Sequence, residues 1–148
     1  MDDSDKLIIN HIQSDFPITK RPYLAIAEKL GFSEEEIIER ILRLKKNGII
    51  RRIGGNFVPG KLGFVSTLCA ARAPEDKIEI FVKKINGFSG VTHNYKRANE
   101  YNIWFTFIAP SVEEIKANLE EIKKDTGVTE ILNLPASRVF KIKAEFNV

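Results

Sequence analysis

Residues 90–107 read GVTHNYKRANEYNIWFTF, a pattern of strand, turn and second strand. Period-two alternation puts Val91, His93 and Tyr95 on one face of the first strand, residues 91–97. It puts Asn102, Trp104 and Thr106 on one face of the second, residues 102–109. The loop Ala98-Asn99-Glu100 joins the two. A face built only for packing carries Val, Ile and Leu at such positions. This one carries an imidazole, a phenol and the chain's single Trp, with Tyr101 and Arg97 close by. That set suits a large planar anion better than it suits a core.

Reading outward from the hairpin, residues 63–72 form a strand and residues 74–85 a helix with Ile78, Phe81, Val82 and Ile85 inward. Residues 111–126 form a second helix, capped by Ser111 with Glu114 at its third position. Strands follow over residues 129–134 and 139–146, separated by Pro135. The order βαββαβ predicts a ferredoxin-like domain over residues 61–148, an antiparallel sheet with both helices on one face. The other face then needs a partner subunit or a ligand to cover it.

Residues 1–60 have helical periodicity instead. Asp3 or Ser4 caps a helix carrying Leu7, Ile8, His11 and Ile12 on one side, and Phe16-Pro17 ends it. Pro22 starts a second helix that Gly31 terminates. Ser33 with Glu36 opens a third, burying Ile37, Ile38, Ile41, Leu42 and Leu44. Two helices across a glycine-containing turn predict a helix-turn-helix. Residues 49–58, around Gly54-Gly55, read as a two-stranded wing. The fold class is α+β, a winged helix-turn-helix domain followed by the ferredoxin-like domain.

Composition sets limits. With 148 residues, 43% of them hydrophobic, the chain has the make-up of a folded protein of one or two small domains. No apolar run approaches the ~20 residues of a membrane span. The beginning, MDDSDKLII, is acidic and lacks the order of a signal peptide, so a cytoplasmic location is expected. One cysteine, Cys69, allows no internal disulfide and no Cys-based zinc site, and its apolar strand suits a buried, inert thiol. No Gly-rich phosphate loop, metal-ligand cluster or serine triad is present.

Across essentially its whole length the chain resembles the Lrp/AsnC family of transcriptional regulators. The residues that carry this are 5–13 (DKLIINHIQ), Gly31-Phe32-Ser33, 40–44 and Gly48-Ile49-Ile50. Within that superfamily it is more similar to the siroheme decarboxylases of alternative haem biosynthesis. That resemblance lies in residues 50–57 (IRRIGGNF), Leu62-Gly63-Phe64, 91–97 (VTHNYKR), 101–107 (YNIWFTF) and 134–141 (LPASRVFK).

The two resemblances imply different functions. One is a DNA-binding regulator sensing a small ligand. The other is a carboxy-lyase subunit converting siroheme to didecarboxysiroheme, with no intrinsic cofactor because the substrate brings its own iron. The residues weigh against DNA. The third helix begins Ser33-Glu34-Glu35-Glu36, with carboxylates where phosphate charge would lie. Residues 1–60 hold ten Lys/Arg against nine Asp/Glu, so that module has no strong cationic field. Arg40, Arg43, Lys45 and Lys46 read as a solvated face.

The decarboxylase resemblance implies site residues. His93 is the general acid, or a ligand to the substrate iron; otherwise it is a strand histidine bonded to backbone. Arg138 anchors an acetate or propionate; otherwise it is a surface cation. Tyr95, Arg97, Tyr101 and Trp104 line or rim the macrocycle, and Arg51 or Arg52 supplies one more cation; otherwise Tyr101 and Trp104 are core, Arg97 is a surface cation, and Arg51 and Arg52 belong to a solvated wing. His11, on the apolar stripe of the first helix, reads as packing. Such decarboxylases pair two homologous subunits of unequal contribution, so a heterodimer, or self-association through the sheet, is implied. The HNY form resembles one subunit type. A related branch leads to the haem of denitrifying nitrite reductases.

Overall fold

Asp2, one residue ahead of the expected cap, opens the first helix in the computed structural model, which describes residues 1–141, 145, 146 and 148. Its carboxylate accepts from the Asp5 amide at 2.8 Å, and the Asp5 carboxylate accepts from the Asp2 amide at 3.2 Å. Two orphan amides at the helix start are thereby satisfied. The chain divides into two compact units, Met1–Gly55 with Lys141–Val148, and Asn56–Phe140.

The first unit contains α1 (Asp3–Ile12), α2 (Pro22–Leu30) and α3 (Glu34–Lys46). Helix α1 ends at Ile12, earlier than Phe16-Pro17 alone would require. Pro22 opens α2, and Gly31, in the left-handed region at φ 78°, closes it with its amide bonded to the Ala27 carbonyl at 2.8 Å. Ser33 caps α3 through the Glu36 amide. The core is Ile8, Ile26, Ala27, Ile37 and Ile41, with Leu44 also buried. The inward stripe of α3 thus runs 37, 41, 44. Ile38 and Leu42, expected inside, sit one position round the helix and lie exposed.

Two further expectations fail here. Residues 49–58 pair in no strand, so no wing forms; Ile50 and Ile53 instead pack against the core of the unit, which outweighs weak alternation around two glycines. Of the strand expected over residues 139–146, Val139, Phe140 and Lys141 join no sheet, and residues 142–144 lie outside the described residues. Phe146 exchanges two bonds with the Gln13 amide group, both 2.8 Å, and Val148 does the same with Asn10 at 3.0 and 3.3 Å.

The second unit contains β1 (Val65–Ala71), α4 (Ile78–Asn86), β2 (Val91–Lys96), β3 (Ile103–Ala109), α5 (Val112–Thr126) and β4 (Ile131–Pro135). The strands make one antiparallel sheet in the order β2-β3-β1-β4. This is the ferredoxin-like arrangement expected from the element order. Ile103, Phe105, Phe107 and Ala109 alternate inward along β3 and pack with Phe81 and Ile85 of α4 and Ile115, Leu119 and Ile122 of α5. Both helices therefore cover one sheet face. Cys69 lies inside this core, and burial pushes its thiol up to about 12, which keeps it inert.

Candidate functional site

The uncovered face of the sheet is set by strand register. One cross-strand row runs Tyr95, Trp104, Ala70, Leu132, and the next runs His93, Thr106, Leu68, Leu134. The β2–β3 half is therefore aromatic and polar, and the β1–β4 half aliphatic. Tyr95 is 53% exposed, Leu68 42%, Leu134 41% and Leu132 39%, so the face stays open among the described residues. Large aliphatic side chains left this open on a regular sheet mark a binding surface.

A β-bulge decides which residues reach that face. Val91 pairs with Phe107 and His93 with Thr106, which leaves Thr92 as the extra residue. Val91 therefore turns to the helix-covered side, where it packs on the core. Simple alternation put it beside His93, and the bulge overturns that. His93 and Tyr95 remain together, ring centroids 6.1 Å apart and planes 31° apart. Thr92 Oγ1 stands 3.0 Å from His93 Nδ1.

Trp104 is half-buried, its indole N–H donating to the Tyr101 carbonyl at 2.7 Å, so the ring is fixed. The Arg97 guanidinium lies 5.7 Å from the Trp104 ring centre, a cation over an aromatic face. Asn102, expected on the functional face, instead bonds both ways to the backbone of Ala73, at 2.8 and 2.9 Å, and ties the start of β3 to the end of β1. His93, Tyr95, Arg97 and Trp104 thus come together, with Tyr101 bonded to the group through its carbonyl.

The other candidates lie elsewhere. Arg138 follows the end of β4, with its guanidinium 4.9 Å from the Phe140 ring centre. Strand β4 is at the opposite sheet edge from β2, three strand spacings or about 14 Å away. Arg51 and Arg52 are exposed residues of the first unit. His11 is half-buried on α1, and its Nε2 has no hydrogen-bond partner among the described residues. A cleft of about 500 Å³ lies beside the bulge, lined by Phe64, Gly90, Thr92, Phe107, Glu114 and Asn118 among others; His93 is not part of it. No group of His, Cys, Asp and Glu fit to hold a metal ion exists among the described residues.

The first unit carries a charge cluster that composition did not reveal. Arg40 Nη1 donates to Asp2 at 2.8 Å and to Asp5 at 3.0 Å, and its Nε donates to Glu36 at 2.9 Å. Arg43 Nη2 donates to both oxygens of Asp5, at 2.8 and 3.0 Å. These arginines, expected as a solvated face, are held internally by α1. The Arg40 bond, helped by the Asp5 amide, holds the Asp2 carboxyl below its ordinary value. Burial alone would raise Asp5, yet the Asp2 amide, Arg40 and Arg43 together hold it low.

Comparison with known proteins agrees with this architecture. Residues 61–141 match the AsnC-like ligand binding domain, and residues 5–51 match the siroheme decarboxylase NirDL-like HTH domain. A siroheme decarboxylase alpha subunit of Desulfovibrio desulfuricans is 51% identical over 148 residues, all of this chain and 85% of that protein. The crystal structure of the siroheme decarboxylase NirDL superposes with a TM-score of 0.71 at 29% identity, covering 98% of this chain and 47% of that one. This chain therefore spans about half the length of NirDL. The same enzyme in co-complex with an iron-uroporphyrin III analogue gives 0.69, covering 96% and 47%. An AsnC family transcriptional regulator from Agrobacterium tumefaciens gives 0.80 at 19% identity, covering 99% and 96%, a likeness of fold alone. With half its residues identical to a named subunit and each half matched by the corresponding domain, the chain belongs to the siroheme decarboxylase family, built on the AsnC-like fold.

Proposed function

We propose that this chain is a subunit of a siroheme decarboxylase, which removes carboxylate from ring acetates of siroheme to give didecarboxysiroheme. The observation that carries this is the grouping of His93, Tyr95, Arg97 and Trp104 on one open sheet face. A flat, anionic iron tetrapyrrole needs aromatic surface against its plane and cations near its carboxylates. The aromatic half of the face offers both.

Decarboxylation leaves a carbanion on the methylene next to a pyrrole-type ring. His93, exposed beside the aromatic surface, is the group to protonate it, or to hold the iron of the substrate. Arg97, over Trp104, sits at the rim to meet a propionate or acetate. Arg138, at the other edge, meets a carboxylate on the far side of the macrocycle or in a neighbouring site.

A single sheet face gives one wall only. A second wall excludes water and strengthens the charge interactions that matter in the reaction. The aliphatic half, Leu68, Leu132 and Leu134, is the surface on which a homologous subunit, or a second copy of this chain, packs. The test is a siroheme titration of the purified chain, alone and with its homologous partner. A shifted Soret band saturating at a simple stoichiometry is expected. An unshifted spectrum with both preparations would return the chain to the ligand-sensing regulators.

A further inference from the structure

Two neighbouring side chains in a regular strand point to opposite faces, so a threonine cannot bond the imidazole of the next residue across the sheet. Thr92 and His93 break that rule because Thr92 is the extra residue of the bulge. A bulge re-aims side chains and recurs beside functional sites. Here it brings the Thr92 hydroxyl to 3.0 Å from His93 Nδ1. No other described side chain is bonded to that ring.

We infer that Thr92 is a positioning residue for His93: its hydroxyl accepts from Nδ1–H, which fixes that proton at Nδ1 and presents Nε2 to the substrate. The inference rests on the reading of His93 as the group that meets siroheme. A histidine ring has two nitrogens, and which one carries the retained proton is set by the bond the other atom makes. In the acid role, the acetate C–C bond breaks, carbon dioxide departs and the electron pair stays on the methylene carbon. That carbon then takes the Nε2 proton and becomes a methyl group. The imidazole is left neutral, with its remaining proton at Nδ1 and donated to Thr92 Oγ1. If His93 instead ligates the iron, the same bond leaves the Nε2 lone pair free for the metal. Both roles need Nε2 outward, and the bulge supplies that orientation.

Among the described residues the Thr92 hydroxyl makes no other hydrogen bond. Regular alternation would have sent it to the helix side, where Val91 now packs. The bulge therefore exchanges a polar residue for an apolar one at the core and moves the hydroxyl to the ring in one step.

The test uses the assembled decarboxylase with this chain alone carrying ¹⁵N-labelled histidine, as wild type, Thr92→Val and Thr92→Ser. Neutral His93 should show the Nδ1–H tautomer in wild type and Thr92→Ser. It should shift toward the Nε2–H form, which free imidazole favours, in Thr92→Val. Turnover should fall about 2- to 10-fold in Thr92→Val, the scale of one hydrogen bond, with KM little changed and Thr92→Ser close to wild type. An unchanged tautomer in Thr92→Val, or a Thr92→Ser enzyme as impaired as the valine one, overturns the inference. A fully active His93→Ala enzyme overturns the role in turnover through the site reading itself, and is told apart because the tautomer of the parent still responds to Thr92→Val.

Discussion

At the scale of single residues, the roles proposed for His93 and Arg138 differ, and the difference makes them testable. One acid–base group contributes roughly 10²–10⁴-fold to a rate, so His93→Ala should lower turnover by about that factor while siroheme binding falls less. Retained Soret titration with lost carbon dioxide release is the result to look for, and full activity would assign the chemistry to the partner subunit. Arg138 follows β4, at the sheet edge opposite β2, and its proposed part is to hold a carboxylate rather than to supply the proton. Arg138→Ala should act through KM more than kcat, and Arg138→Lys should recover only part of the loss, because an ammonium lacks the planar fork. Equal loss of kcat in the alanine and lysine variants with KM unchanged would contradict this. The aromatic and cationic character of the site was legible in residues 91–107, since each side chain is visible in the sequence. The turn of Val91 to the core was not. A one-residue bulge has no compositional mark, and it changes the facing of every residue before it.

Among the elements, the caps were the most legible and the surface charges the least. Ser33, Ser111 and Gly31 act where local chemistry puts them. Arg40 and Arg43 looked solvated because α1 reaches them only in three dimensions. Their ion pairs give α1–α3 packing a pH dependence with a definite sign. Asp2 and Asp5 have folded values below the ordinary carboxylate value of about 3.9. Their stabilisation is therefore complete above that value and is lost as pH falls through the lower, folded values. Urea midpoints should be flat from pH 7 to about 5 and fall below about 4. Asp5→Asn, at a residue 2% exposed, should cost about 1–3 kcal/mol at neutral pH and flatten the acid limb. An unchanged acid limb in that variant would contradict the ion-pair account. Gly90 makes a second test. A Cβ there would lie 1.9 Å from the Ile108 carbonyl oxygen, whose residue donates its amide to Gly90 at 2.9 Å. Gly90→Ala should thus destabilise by about 1–3 kcal/mol or more, measured by thermal melting, with the β2–β3 edge losing amide protection first. A melting point equal to wild type would show that the backbone there yields freely.

For the whole molecule, a regulator's fold serves a different end. In the first unit Glu35 is exposed at the start of α3, Glu34 is paired with Arg21 and Glu36 with Arg40, and two of the helix's arginines, Arg40 and Arg43, are held by α1. Specific DNA binding should therefore be absent; fluorescence anisotropy with the upstream DNA of its own gene should show only weak, salt-labile association. Salt-sensitive, sequence-selective binding in the nanomolar range would reverse that view. In the second unit the βαββαβ order was readable from periodicity. The missing wing and the fate of residues 139–141 were not, because short, weakly alternating segments take their structure from what they pack against. On the proposed function, this chain takes part in removing carboxylate from siroheme on its open sheet face. Anaerobic incubation of siroheme with the chain and its homologous partner, followed by mass spectrometry of the tetrapyrrole, tests it most directly. Stepwise loss of carbon dioxide to didecarboxysiroheme is expected, abolished or strongly slowed by His93→Ala in a folded complex. Siroheme recovered intact from an assembled, substrate-binding complex would contradict it.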